Sequence, residues 1–129
     1  MSHISRRTTA MVAKAPLTQA IVALGGVVAN TSTLRFYAGQ TAKADIVVHH
    51  ADFKSGYDLG FTKNPATRAY EAVGDFSFMG PAGTKFVDAM VQEYGVQETL
   101  IAAAEAGYEV ESVETLATGE KRVRLAVMA

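Results

Sequence analysis

The sequence contains no cysteine and no tryptophan, and only three of its 129 residues are proline. Without cysteine the chain cannot form a disulfide framework, a thiolate zinc site or an iron–sulfur cluster, and it has no thiol nucleophile. Long apolar runs are also missing. The longest, residues 20–29, is broken by Gly25 and Gly26 and is well below the roughly 20 residues that span a bilayer. We therefore expect no membrane partner.

Length and composition are those of an ordinary globular protein. Hydrophobic residues make up 49% of the chain and charged residues 19%, which is typical of a sequence that folds around one apolar core. A chain of this size leaves no room for a second domain. We therefore predict a single domain, residues 1–129.

Basic and acidic residues are unevenly distributed, although the formal net charge is only -1. Residues 1–44 contain five basic residues and no carboxylate, whereas residues 85–120 contain eight carboxylates and one lysine. Such a division is compatible with an anionic partner for one end, with head-to-tail contact between copies, or with solvated faces of opposite sign.

Hydrophobic periodicity predicts the fold class. Apolar residues recur at helical spacing in two segments, 16–24 and 86–104, with Pro16 at the first helical position and either one helix or two meeting at Gly95. A period of two marks the predicted strands: 4–12, 46–50, 57–62, 70–78, 108–116 and 122–128. We predict an α+β fold, an antiparallel sheet with about two helical segments packed on one face. The expected core of the sheet consists of Ile46, Val48, Leu59, Phe61, Ala72, Phe76, Val123 and Leu125.

One set of polar residues should share the sheet face opposite that core: Asp45, His49, Asp58, Glu71 and Asp75. Carboxylates and an imidazole held together suit a hard divalent cation or acid–base chemistry, so a metal-dependent enzyme is one interpretation. The other is a solvated face, because a sheet with helices on one side commonly shows polar residues on the other. No ligand spacing is fixed, so we assign no catalytic residue, no metal ligand and no cofactor.

Candidate contacts with a partner are Arg6, Arg7, Arg35, Phe36, Tyr37, Phe53 and Phe78, of which the three phenylalanines lie at predicted strand ends. Arginines beside Phe36 and Tyr37 suit a nucleic-acid-binding module, in which aromatic rings stack on bases. The sequence pI of about 6.3 is far below the basic balance of such domains and favours a protein partner instead. The alternative for the phenylalanines is that they cap the core.

Several short motifs occur in a fixed order: Met1-Ser2-His3, Tyr37-Ala38-Gly39-Gln40, Ala44-Asp45-Ile46-Val47-Val48, Tyr57-Asp58-Leu59-Gly60-Phe61, Tyr70-Glu71 followed by Asp75, Gln92-Glu93-Tyr94, Ala106-Gly107-Tyr108-Glu109-Val110 and Arg122-Val123-Arg124-Leu125. In these the chain resembles, over nearly its whole length, the uncharacterised family called hypothetical chloroplast reading frame thirty-five. That family occurs in plastids, cyanobacteria, other bacteria and some phages.

The resemblance implies an accessory or assembly role, because relatives look like small accessory proteins, sometimes encoded near ATPases of the AAA type. The expected partner is therefore a protein, either another copy of this chain or a larger machine. The opening residues lack the apolar core of a secretory signal, which predicts a cytoplasmic location. The plastid stroma and a phage-infected cell are equally compatible with the resemblance.

Overall fold

The computed structural model describes residues 4–127; the opening motif Met1-Ser2-His3 and the last two residues lie outside the described residues. The two helices are α1 (Lys14–Ala23) and α2 (Pro81–Glu105). The strands are β1 (Ser5–Arg7), β2 (Val27–Val28), β3 (Thr33–Phe36), β4 (Gln40–Lys43), β5 (Ile46–His49), β6 (Leu59–Lys63), β7 (Tyr70–Gly74), β8 (Tyr108–Thr115) and β9 (Lys121–Val127).

The main sheet has five antiparallel strands in the order β1-β7-β6-β5-β2. Two further hairpins, β3-β4 and β8-β9, form separate two-stranded sheets. The predicted α+β class is confirmed. Among residues 4–127, no helix combines the length and the apolar character needed to cross a membrane.

Both helices begin and end where elementary backbone chemistry allows. Helix α1 starts at Lys14, so Pro16 occupies the first turn and not the first helical position. Proline is tolerated there because the first N–H groups of a helix have no intrahelical partner. The helix ends before Gly25, whose φ of +82° is accessible to glycine at little cost. Helix α2 runs without interruption through Gly95.

The helices pack on each other and on one face of the main sheet. A side chain at Gly26 would meet Ile21 of α1 and Val48 of β5, so these two elements approach each other closely at that glycine. Further across the sheet, the thioether of Met79 lies against Gly83 of α2 and close to Gly74 of β7.

Much of the second face of the main sheet is covered, which corrects the expectation of a solvated polar face: Asp58 and Asp75 are buried, whereas Asp45 is exposed and His49 is half-buried. Ile46, Val47 and Val48 are all buried, so β5 is covered on both faces along these three residues. The β3-β4 hairpin provides the cover: a Cβ placed on Gly60 would lie 2.7 Å from Leu34 and 2.7 Å from Ala44. The absence of a side chain at Gly60 therefore lets the hairpin sit directly on β6.

The predicted core needs three corrections. Strand β7 ends at Gly74, and the chain turns because the backbone carbonyl of Asp75 accepts hydrogen bonds from the N–H groups of Phe78 and Met79. Phe76 therefore lies beyond the strand and is only partly buried. Val123 and Leu125 belong to the separate β8-β9 hairpin; Val123 is half-buried and Leu125 is exposed.

Two glycine substitutions should have opposite effects on stability. Gly60→Ala forces a methyl group against Leu34 and Ala44, so we expect a loss of about 1–3 kcal/mol in the free energy of unfolding. Gly95→Ala places a methyl group in open space within α2, where alanine is the better helix former, so we expect a gain of about 0.5–1 kcal/mol. Urea denaturation measures both; equal effects of the two would contradict the packing of the hairpin on β6.

Candidate functional site

Three polar residues lie in one row across the end of the main sheet. Val48 pairs with Leu59, so the next opposed positions are His49 and Asp58. Gly60 pairs with Val73, so two positions further on Asp58 is opposed to Asp75. Directly opposed residues of antiparallel strands share a face. We call His49, Asp58 and Asp75 the sheet-end row.

Asp58 is held by Arg35 of the covering hairpin. The Arg35 backbone N–H and Nε donate to Oδ2 at 2.8 and 3.0 Å, and Nη2 donates to Oδ1 at 2.9 Å. His49 Nε2 lies 3.3 Å from Oδ1. The hydrogen bonds from Arg35 to the Asp58 side chain, followed by the attraction of its charge, raise the pKa of Arg35. Although Asp58 is 1% exposed, its carboxylate is thus fully partnered.

Asp75 is buried without such compensation. It is 0% exposed, and neither carboxylate oxygen has a hydrogen-bond partner among residues 4–127. Its neighbour is Tyr57: burial, and secondarily the negative charge of Asp75, raises the pKa of the Tyr57 hydroxyl. An unpaired carboxylate in a low-dielectric interior is unfavourable unless a positive charge offsets it. The sheet-end row therefore has two buried carboxylates, and Arg35 of the hairpin pairs with Asp58.

An aromatic surface lies beside these groups. The rings of Tyr37 and Phe78 are 5.7 Å apart at an interplanar angle of 45°, and the side chains are 45% and 37% exposed. Tyr37 begins a short 3-10 turn in which Ala38 has the left-handed φ of 53°. The Lys54 ammonium lies 5.5 Å from the centre of the Tyr57 ring. We call Tyr37, Tyr57 and Phe78 the aromatic cluster.

The remaining residues of the predicted polar face lie at the other end of the sheet. Asp45 accepts a hydrogen bond from the Lys63 N–H at 2.8 Å, and Glu71 pairs with Arg6 at 3.4 Å. They are thus separated from the sheet-end row. Among the residues that the structure describes, no group of three or more His, Cys, Asp and Glu side chains could hold a metal ion.

The predicted partner contacts are divided between core and surface. Phe36 and Phe53 are buried in the core, because strand ends here are covered by neighbouring elements, so neither presents a ring to a partner. Phe53 packs edge-on against Phe86 and beside His50, next to a cavity of about 390 Å³. Arg7 lies 4.4 Å over the ring of Phe76.

The β8-β9 hairpin exposes a large apolar surface. Tyr108 pairs with Val127 and Val110 with Leu125, so these four side chains share a face. A β-bulge between Val110 and Ser112 shifts the in–out alternation of β8 by one residue. Val113, opposite Val123, therefore lies on the same face as Val110. We call the five exposed members the hairpin stripe: Tyr108, Val110, Val113, Leu125 and Val127, which are 39–78% exposed.

Sequence reasoning did not place Tyr57 or Lys54 among the candidate site residues. The available signal for Tyr57 was its position directly before Asp58, at the start of a predicted strand. No pattern in the sequence indicates Lys54, because its contact with the Tyr57 ring depends on the loop that follows His50.

The fold and the site define an α+β protein that buries carboxylates at one end of its main sheet and exposes aromatic and aliphatic surface elsewhere. The chain belongs to the family described as protein of unknown function (DUF1257), whose match covers residues 20–124. No curated protein and no solved structure is significantly similar to it.

The Arg35–Asp58 contact should contribute more stability than an exposed ion pair. Arg35 and Arg6 have the same side-chain exposure, 54%, but Arg35 neutralises a buried carboxylate whereas Arg6 pairs with the more accessible Glu71. We expect Arg35→Ala to cost about 1–3 kcal/mol of unfolding free energy and Arg6→Ala about 0–1 kcal/mol. Chemical denaturation measures the difference; equal losses would contradict the role of Asp58.

Tyrosine titration should reveal the environments of Tyr57 and Tyr70. Burial is the main cause that raises the pKa of each, with Asp75 adding to the effect at Tyr57 and Asp45 at Tyr70. The protonated phenol is favoured in the folded state, so this contribution to stability is complete below the ordinary pKa of about 10 and is lost as the pH rises through the raised values. Near-ultraviolet phenolate absorbance should show late titration of Tyr57 and Tyr70.

Single substitutions show which tyrosine is responsible for each late titration step. Tyr57→Phe and Tyr70→Phe should each remove one late step, and Asp75→Asn should lower the pKa of Tyr57 without affecting Tyr70. If all five tyrosines ionise together in the folded protein, the burial of these hydroxyls is contradicted.

Proposed function

We propose that this chain is a non-catalytic accessory or assembly protein that acts through protein contacts and associates with copies of itself through the β8-β9 hairpin. The observation that supports this proposal is the hairpin stripe. Five large apolar side chains share one face of an isolated two-stranded sheet and remain 39–78% exposed. A contiguous exposed apolar patch favours a binding surface over an ordinary solvated one.

Strand edges supply the second part of the proposal. The β8-β9 sheet has only two strands, so the outer edge of each has backbone groups without a strand partner in the described chain. A copy displaced sideways places its β9 antiparallel to β8, which extends the sheet by strand addition. The two stripes then merge into one larger apolar face.

The charges on β8 and β9 determine which strand edges pair between copies. Strand β8 carries Glu109, Glu111 and Glu114, and β9 carries Lys121, Arg122 and Arg124. Pairing β8 with β8, or β9 with β9, sets like charges opposite one another, whereas β8 with β9 sets opposite charges together. The favoured contact is therefore head-to-tail, and contacts of this type close into rings or extend as filaments.

The other interpretations receive less support from the arrangement of side chains. Arg6, Arg7 and Arg35, the arginines proposed to contact nucleic acid, are engaged by Glu71, Phe76 and Asp58 of the same chain. The carboxylates proposed to bind a metal are divided between the two ends of the sheet. The narrower resemblance to hypothetical chloroplast reading frame thirty-five supports an accessory role, with an AAA-type ATPase as the larger partner.

Charge reversal tests the proposed association. Light scattering at rising protein concentration should show oligomers larger than a dimer for the wild type. Arg122→Glu with Arg124→Glu makes both edges acidic, and Glu109→Lys with Glu114→Lys makes both predominantly basic, so each double variant alone should stay monomeric. An equal mixture of the two should associate again, because each edge then meets an opposite charge.

A matched control reverses two charges outside the hairpin. Lys14→Glu with Lys43→Glu changes the net charge as much as the β9 variant does, at exposed positions of the basic N-terminal segment. This variant should associate like the wild type. A wild type that is monomeric at every concentration, or a mixture that fails to associate, would count against the proposal.

A further inference from the structure

We infer that the aromatic cluster and Asp75 form a binding site for an organic cation, a guanidinium or an alkylammonium group. The site is distinct from the hairpin stripe and does not depend on self-association. Its exposed surface consists of the Tyr37 and Phe78 rings, Tyr57 is the buried member of the cluster, and Asp75 supplies the negative charge.

The aromatic rings have the arrangement that attracts cations. Tyr37 and Phe78 are in contact at 5.7 Å with tilted planes, and both side chains are partly exposed to solvent. Positive groups bind the faces of such rings within about 6 Å of the centroid. Lys54 already occupies this kind of position over Tyr57, at 5.5 Å.

Asp75 provides the negative charge that selects a cation. The sheet-end row has two buried carboxylates, and Arg35 binds only Asp58. Both oxygens of Asp75 are covered and have no hydrogen-bond partner among residues 4–127. Asp75 and Phe78 belong to one turn, in which the Phe78 N–H donates to the backbone carbonyl of Asp75 at 3.2 Å, and the charge of Asp75 also acts on Tyr57 of the same cluster.

The covered oxygens determine how the cation is held. A group seated on Tyr37 and Phe78 does not touch the carboxylate; it is attracted through protein, where charges interact more strongly than they do across water. The rings contact the cation, and the negative charge of Asp75 attracts it electrostatically. The raised pKa of Tyr57, to which Asp75 and Tyr37 both contribute, is consistent with this proximity.

The turn that contains Tyr37 has a strained backbone. Ala38 adopts φ 53° and ψ 34°, a left-handed conformation that costs alanine roughly 1 kcal/mol or more. Gly39 follows with φ 76°. These two residues reverse the chain directly after Tyr37 and so hold its ring against Phe78.

A guanidinium or alkylammonium group can come from two sources: an arginine or lysine side chain of a partner protein, or a free small cation. Three probes distinguish them: tetramethylammonium chloride, N-acetylarginine amide and a short peptide with one arginine among neutral residues. Tighter binding of the peptide than of the amide indicates a partner side chain, and tightest binding of tetramethylammonium indicates a free alkylammonium ligand. Both results support the cation site.

The test measures binding of these probes by NMR through the ring protons of tyrosine and phenylalanine. Asp75→Asn, Tyr37→Ala and Phe78→Ala should each weaken binding by about tenfold, the equivalent of one desolvated cation–π or charge contact. Glu71→Gln is the matched control, because it removes one carboxylate from the same sheet face at the other end and should leave binding unchanged.

Stability measurements keep the test independent of folding defects. Asp75→Asn replaces an unpaired buried charge with a neutral side chain, so its melting temperature should equal or exceed that of the wild type. At equal concentration the probes should raise the melting temperature of the wild type and of Glu71→Gln more than that of Asp75→Asn. No binding of any probe to the wild type, or unchanged binding to Asp75→Asn, would overturn the inference.

Discussion

The contact between Arg35 and Asp58 joins the β3-β4 hairpin to the main sheet, and the rest of the structure depends on it. The contact combines a forked side-chain pair, a backbone N–H donated to the carboxylate, and a hydrogen bond from the Asp58 N–H to the Arg35 carbonyl at 2.9 Å. The same hairpin places Leu34 over Gly60. An otherwise polar sheet face thereby becomes a second buried layer.

This second layer explains why the end of the sheet is chemically unusual. The hairpin that packs over β6 provides a cation for one of the two buried carboxylates, Asp58. The charge of Asp75 contributes to the raised pKa of Tyr57, and the turn that begins at Asp75 carries Phe78, whose ring meets Tyr37. The Asp75 oxygens, which have no hydrogen-bond partner among residues 4–127, are compatible with the overall fold because stability is distributed over the large apolar core on the helical face.

The two proposed surfaces differ in their physical basis. The hairpin stripe is largely aliphatic and lies on a separate two-stranded sheet with charged strands. Apolar contacts should therefore stabilise its association, while the charges determine which strand edges pair. The aromatic cluster is small and is placed over a buried charge, so it suits one cationic group. A chain with both could hold copies of itself together while it engages a basic segment elsewhere.

Periodicity in the sequence was sufficient to determine the α+β class, both helical segments and the strands around Ile46, Leu59 and Tyr70, because local hydrophobic patterns reflect which side of an element faces the core. Alternation also assigned Asp58 and Asp75 to one sheet face. Only the tertiary structure decided that this face is buried, that Val113 joins Val110 across a bulge, and that Tyr37 meets Phe78. Those outcomes depend on contacts between residues distant in sequence, which no local pattern encodes.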